Sequence, residues 1–325
     1  MRTANSKRVG IRDIRLLAAC RLLAVVSVLV ATLLAGCVPR QTGPNEADLI
    51  WGQRGITPGR FQKPRAIAID SQDQLYVVDM TARIQMFDAD GNYLRSWKTP
   101  ESKNGRPSGL TISNSETLLV ADTHYYRVLA YDARGNALEE ETIGGTMGRA
   151  PGEFGFVTDV VQDSAGNYYI AEYGDYDRIQ KFSPQREFLL QWGSHGAEPG
   201  QFRRPQNMVV DEKDHIWVAD ACNHRIQVFD GEGKLLKLWG TEGSEIGRLY
   251  YPYDLVLDGA GHLYVCEYGN HRVQKFTLDG ISVGCWGSNG RGPGQLHNPW
   301  ALARDSQGRL HVLDSNNHRV QRVIF

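Results

Sequence analysis

Three short apolar segments carry a polar side chain where their counterparts elsewhere in the chain carry Ala66, Gly109 and Ala301: these are Asp159, Asn207 and Asp254. Near them stand Glu172-Tyr173-Gly174 and Glu267-Tyr268-Gly269, at positions where Asp is the commoner acid. Carboxylates, an amide and two tyrosines gathered in one region could bind a sugar, a peptide amine or Ca²⁺, or supply an acid/base pair. Arg65, Tyr253 and Trp300 begin equivalent segments and would add charge and stacking. The same set could equally be the solvated polar lining of a channel. A second group of residues is repeated rather than singular. Acids at Asp79, Asp122, Glu172, Asp220, Glu267 and Asp314 are each followed by an arginine, at 83, 127, 178, 225, 272 and 319. One acid and one arginine per repeat predicts structural ion pairs that pack neighbouring repeats. His124, His224, His271 and His318 read as one equivalent loop position and invite a metal, although equivalent positions in different repeats need not converge. No Ser/His/Asp, Cys/His or HExxH arrangement stands out, so no catalytic residue and no metal ligand is assigned.

The elements that must position these residues repeat. Trp51-Gly52, Trp192-Gly193, Trp239-Gly240 and Trp286-Gly287 recur, with Trp97 and Ile143-Gly144 in the two remaining slots, at spacings of 46, 46, 49, 47 and 47 residues. Such a period signals a repeat architecture. Within 201–240, four short runs rich in β-branched and aromatic residues are separated by Glu212-Lys213, Asn223-His224 and Asp230-Gly231. Four strands per unit of about 47 residues describe a propeller blade. The units begin near Pro64, Pro107, Val157, Pro205, Pro252 and Pro299, and the last stops after three strands. Asp48–Gly52 supplies the missing one. The expected fold is therefore all-β: a six-bladed β-propeller of four-stranded antiparallel blades over 48–325, closed by the N-terminal strand near 48–52, since closure removes exposed edges. The tryptophans of the outer strands read as repeat packing.

Asn223-His224-Arg225-Ile226-Gln227-Val228-Phe229 resembles the NHL repeat, as do Asn270–Gln274 and Asn317–Gln321, with weaker copies around Arg83, Arg127 and Arg178. Pro151-Gly-Glu-Phe154 and Pro199-Gly-Gln-Phe202 add an upstream motif. The resemblance implies a propeller used either as a protein, peptide or glycan binding module or, alternatively, as a metal-dependent lyase or lactonase similar to the peptidyl-hydroxyglycine amidating lyase. The lyase would need His where the chain enters the inner strands. Those positions read Arg65-Ala66, Ser108-Gly109, Thr158-Asp159, Gln206-Asn207, Tyr253-Asp254 and Trp300-Ala301, and only His297 comes near. Binding without a cofactor is the expectation, Ca²⁺ or Zn²⁺ being the ions to test for.

The first 36 residues are different material. Six basic residues and one acid precede an uncharged run, Leu22 to Gly36, shorter than a membrane span. Leu34-Ala35-Gly36-Cys37 resembles the bacterial lipobox, which implies cleavage before Cys37, diacylglycerol on its thiol and N-acylation, palmitate being the expected acyl group. Residues 37–47 would be the lipidated Cys and a polar tether. Val38 favours the outer membrane where there is one. The expected location is the cell membrane or outer membrane, lipid-anchored and extracytoplasmic. The full chain has net charge −1; without residues 1–36 the remainder carries −6. No nucleic-acid partner is expected from that charge, and a monomer is expected. Cys222, Cys266 and Cys285 are an odd set, and Cys222 with Cys266 could bridge in an oxidising compartment.

Overall fold

The computed structural model describes residues 46–325. The expected leader, Cys37 and most of the tether lie outside the described residues. Six four-stranded antiparallel sheets follow one another along the chain. Blade four shows the pattern: Pro205–Val210 innermost, then Ile216–Asp220, Arg225–Phe229 and Leu235–Trp239 outermost. In blade six, Ala301–Arg304, Leu310–Asp314 and Arg319–Val323 are completed by Leu49–Trp51, which pairs antiparallel with the last strand through Leu49↔Arg322 and Trp51↔Val320. The ring closes as the orphan strand requires.

The middle strands of blade four are buried along their whole length, and those of the other blades nearly so, because both faces of the sheet lie against neighbouring blades. The outer strands alternate, as in Leu235–Trp239, where every second residue meets solvent. Hydrophobic clusters sit between successive blades; Met208, Val218 and Phe229 of blade four meet Val161, Tyr169 and Ala171 of blade three. The outer-strand tryptophans lie against a glycine of the following blade: Trp97 on Gly135, Trp192 on Gly233, Trp239 on Gly280. Each of these glycines has positive φ and an added Cβ would fall within 2.7 Å of the indole, so two constraints demand Gly there.

The six acid–arginine pairs all form, between the second and third strands of one blade: Asp79–Arg83 at 3.4 Å, Asp122–Arg127 at 3.0 Å, Glu172–Arg178 at 2.6 Å, Asp220–Arg225 at 2.7 Å, Glu267–Arg272 at 2.6 Å and Asp314–Arg319 at 2.8 Å. This corrects the expectation that the pairs themselves bridge neighbouring blades. In five of the six, Arg127 being the exception, the guanidinium instead reaches the carbonyls of the loop that brings the chain in from the previous blade, as Arg225 does with Ala197, Glu198 and Gln201.

Histidines do join blades. His224, His271 and His318 end the loop between strands two and three at positive φ, and each Nδ1 accepts a backbone N–H from the next blade: Tyr251, Asn298 and Lys63. Asp177 does the same for Arg204. His124 is not their equivalent. In blade two the left-handed position is held by Tyr126, and His124 lies two residues earlier, aligned with Cys222. All three cysteines among the described residues are free thiols, so no Cys222–Cys266 bridge forms.

Candidate functional site

The inner strands of blades one, three, four and five each hold a bulge within their first three residues, at Pro64/Ala66, Val157/Asp159, Pro205/Asn207 and Pro252/Asp254. A bulge frees one side chain from the ladder and re-aims it. The freed residues are Arg65, Thr158, Gln206 and Tyr253; Ser108 and Trp300 hold the corresponding places in blades two and six. They surround the mouth of the central channel. The channel itself is a cavity of about 410 Å³ walled by the inner strands, and a smaller pocket of about 170 Å³ opens at its mouth.

Aromatic and cationic groups interlock there. Tyr253 stacks on Tyr268 at 4.5 Å, and Trp300 meets both edge-on at 5.0 and 5.7 Å. Arg65 lies over Trp300 at 5.3 Å, and Arg204 lies over Tyr173 at 4.9 Å and Tyr253 at 5.5 Å. Of the residues singled out from sequence, Arg65, Tyr173, Tyr253, Tyr268 and Trp300 therefore converge. Burial pushes the Tyr253 hydroxyl up to about 12, so it stays a neutral hydrogen-bonding group.

The other five serve the fold. Glu172 and Glu267 are fully buried in the ion pairs of blades three and five. Asp159, Asn207 and Asp254 form a chain of staples one step below the mouth. The Asp159 Oδ2 accepts the Met208 N–H at 2.8 Å and the Asn207 Nδ2 at 3.0 Å. Asn207 Oδ1 accepts the Leu255 N–H at 3.0 Å, and Asp254 Oδ2 accepts the Leu302 N–H at 2.9 Å. Each side chain thus grips the inner strand of the next blade. Ala66, Gly109 and Ala301 make no such grip, which is why the repeat breaks its own pattern on one side.

Burial raises the Asp159 carboxyl to about 7 and the Asp254 carboxyl well above the ordinary 3.8. The folded protein holds these protons more tightly than the unfolded chain does. Their contribution to stability is therefore complete below 3.8 and is lost as pH rises through about 7. Asp159→Asn keeps an acceptor and cannot ionise. It is expected to flatten the loss of stability between about pH 4 and 7, read from urea midpoints; a slope equal to the wild type's would exclude Asp159 as its source.

Sequence reasoning missed Arg204, Arg106 and the position of His124. No sequence signal set the arginines apart: Glu101 precedes Arg106 by five residues and Glu198 precedes Arg204 by six, spacings that the repeated pairs also show. His124 Nδ1 is buried without a partner and its ring lines the mouth pocket. Burial, then Arg65 and Arg106, push its pKa down, although a backbone hydrogen bond with Arg106 opposes the shift. Among the described residues, no group of three or more His, Cys, Asp or Glu is placed to hold a metal ion.

Comparison with known proteins gives three findings. Residues 202–229, 249–276 and 296–323 match the NHL repeat. The chain is 30% identical over 193 residues to peptidyl-glycine alpha-amidating monooxygenase B of Xenopus laevis, covering 56% of this chain and 20% of that protein. It is 28% identical over 175 residues to human NHL repeat-containing protein 3, covering 49% of each chain. Among solved structures, streptogramin B lyase superposes with a TM-score of 0.60 at 12% identity, over 83% of this chain and 95% of that one. The chain thus spans about a fifth of the amidating monooxygenases it matches, and the likeness to the lyase is one of fold.

Proposed function

We propose that this protein is a lipid-anchored, extracytoplasmic binding propeller that takes a protein, peptide or glycan partner at its channel mouth. The observation that carries the reading is a division of labour among polar residues. The acid–arginine pairs and three of the loop histidines are consumed by the fold, and Asp159, Asn207 and Asp254 grip neighbouring strands while lining the channel below the mouth. The aromatic and cationic side chains of the mouth are left to meet a ligand. The NHL repeats, a module that commonly mediates protein contacts, support the same reading.

A photo-crosslinking residue in place of Ser108, in full-length protein in its membrane, should give partner adducts that Tyr253→Ala with Trp300→Ala abolishes. Adducts that survive the double substitution would overturn the mouth as the site. Cys37→Ser should leave an unprocessed chain outside the membrane fraction; unchanged fractionation and processing would overturn the anchor.

The similarity to an amidating monooxygenase favours a second reading, a metal-dependent lyase or lactonase. One Ca²⁺ or Zn²⁺ per chain by elemental analysis, lost with Asp159→Ala and Asp254→Ala, would select it.

A further inference from the structure

Nine of the 21 arginines among the described residues are matched by a carboxylate, most of them in the service of the fold. The six repeated ones each hold a carboxylate, as do Arg309 and Arg322. Three at the mouth are not. Among the described residues, no carboxylate lies in ion-pair range of Arg65, Arg106 or Arg204. Arg106 donates to the carbonyls of Met80 and Gly105, and Arg204 Nε donates to the Gln206 side chain at 2.9 Å. Arg65 and Arg204 come from blades one and four, on opposite sides of the ring, yet line the same small pocket. Both guanidinium groups lie over aromatic rings, so they are already positioned. Asp177 accepts the backbone N–H of Arg204 and bonds His195, and Asp159 and Asp254 are engaged in the staples below. Burial, with Arg204 and Arg106 nearby, pushes the Arg65 pKa down, although Tyr173 and Tyr253 oppose the shift.

We infer that the mouth recognises a compact dianionic group, either a phosphoryl or sulfate group or two adjacent carboxylates, gripped between Arg65 and Arg204. This rests on the mouth being the ligand site. A single negative charge would leave one guanidinium uncompensated in a half-buried pocket, whereas a dianion satisfies both, and the planar forks of arginine suit oxyanions. Ser108 and Thr123 hydroxyls, 2.7 Å apart on the pocket wall, and the unpartnered His124 Nδ1 complete the polar lining. The rest of the ligand would lie against Tyr173, Tyr253 and Trp300.

The test is calorimetric titration of the full-length chain in detergent with inorganic phosphate, sulfate, malonate and acetate, at constant ionic strength and about pH 8, where phosphate is a dianion. Saturable binding of at least one dianion, about tenfold or more tighter than acetate, is expected. Arg65→Gln and Arg204→Gln should each weaken it by about tenfold or more. Arg203→Gln, an exposed neighbour, should match the wild type. A preference for phosphate and sulfate over malonate would assign a tetrahedral group, and the reverse would assign paired carboxylates. Equal affinity for mono- and dianions, no saturable binding, or an equal loss in Arg203→Gln would overturn the inference. If dianions fail while crosslinking at the mouth still depends on Tyr253 and Trp300, only the anion is wrong; if both fail, the mouth itself is not the site.

Discussion

Replacing Arg225 with alanine is expected to destabilise the propeller by about 3–5 kcal/mol, the cost of stranding a buried carboxylate. Asp220 has no exposed surface, and Arg225 Nε donates to it at 2.7 Å. The same guanidinium holds three carbonyls of the incoming loop, at 2.6, 2.9 and 2.7 Å, so one substitution releases both the acid and the loop. Arg127→Ala provides the comparison. Its arginine bonds Asp122 and the exposed Glu101 but no loop carbonyl, and its side chain is 19% exposed. Asp122 already has one oxygen without a partner, and burial raises its carboxyl to about 6. Its loss should cost about 1.5–3 kcal/mol. Urea unfolding of the two variants decides the matter. Equal losses would mean that the loop carbonyls contribute nothing and that the pair alone carries the energy.

Trp51→Ala should cost a similar amount, about 3–5 kcal/mol, by emptying a large buried site. Trp51 is 8% exposed and meets Phe87 at 4.6 Å and Phe61 at 5.7 Å. It stands in the three-residue strand that closes the ring, where Asp48 and Asp90 also hold Arg322, each at 2.8 Å. The expected signature is loss of closure. Backbone amides of Arg319–Val323 should exchange faster in Trp51→Ala, and should not in Trp239→Ala, whose indole sits on the outer strand of a blade made from continuous chain. Acceleration in both variants, or in neither, would show that Trp51 fills space without latching the ring.

The residues divide by the range over which their roles are decided. A period near 47 residues, alternation within strands and the turn residues between them are properties of short stretches of chain. Six blades, their four strands and the closing role of Asp48–Gly52 could be read from them. The acid–arginine pairs were also visible, because their members face each other across one hairpin and their register is local. What lies between blades was not visible. His124 reads as another His224 until the loop is seen to place Tyr126 at the left-handed position. Glu172 and Glu267 read as ligand residues because sequence does not say which face of the sheet a side chain enters.

Amino-acid order alone therefore determined the repeat, the fold and the means of its closure, since hydrophobic periodicity and turn chemistry act over a few residues. Only the tertiary structure decided the site. A bulge in four of the six inner strands re-aims Arg65, Thr158, Gln206 and Tyr253, while in blades three to five the residue after it turns to grip the next blade. Whether Asp159 meets a ligand or a neighbouring N–H, and whether Arg204 finds an acid or an aromatic ring, depends on chains of the ring that lie about 48 residues apart in sequence and in hydrogen-bond contact in space.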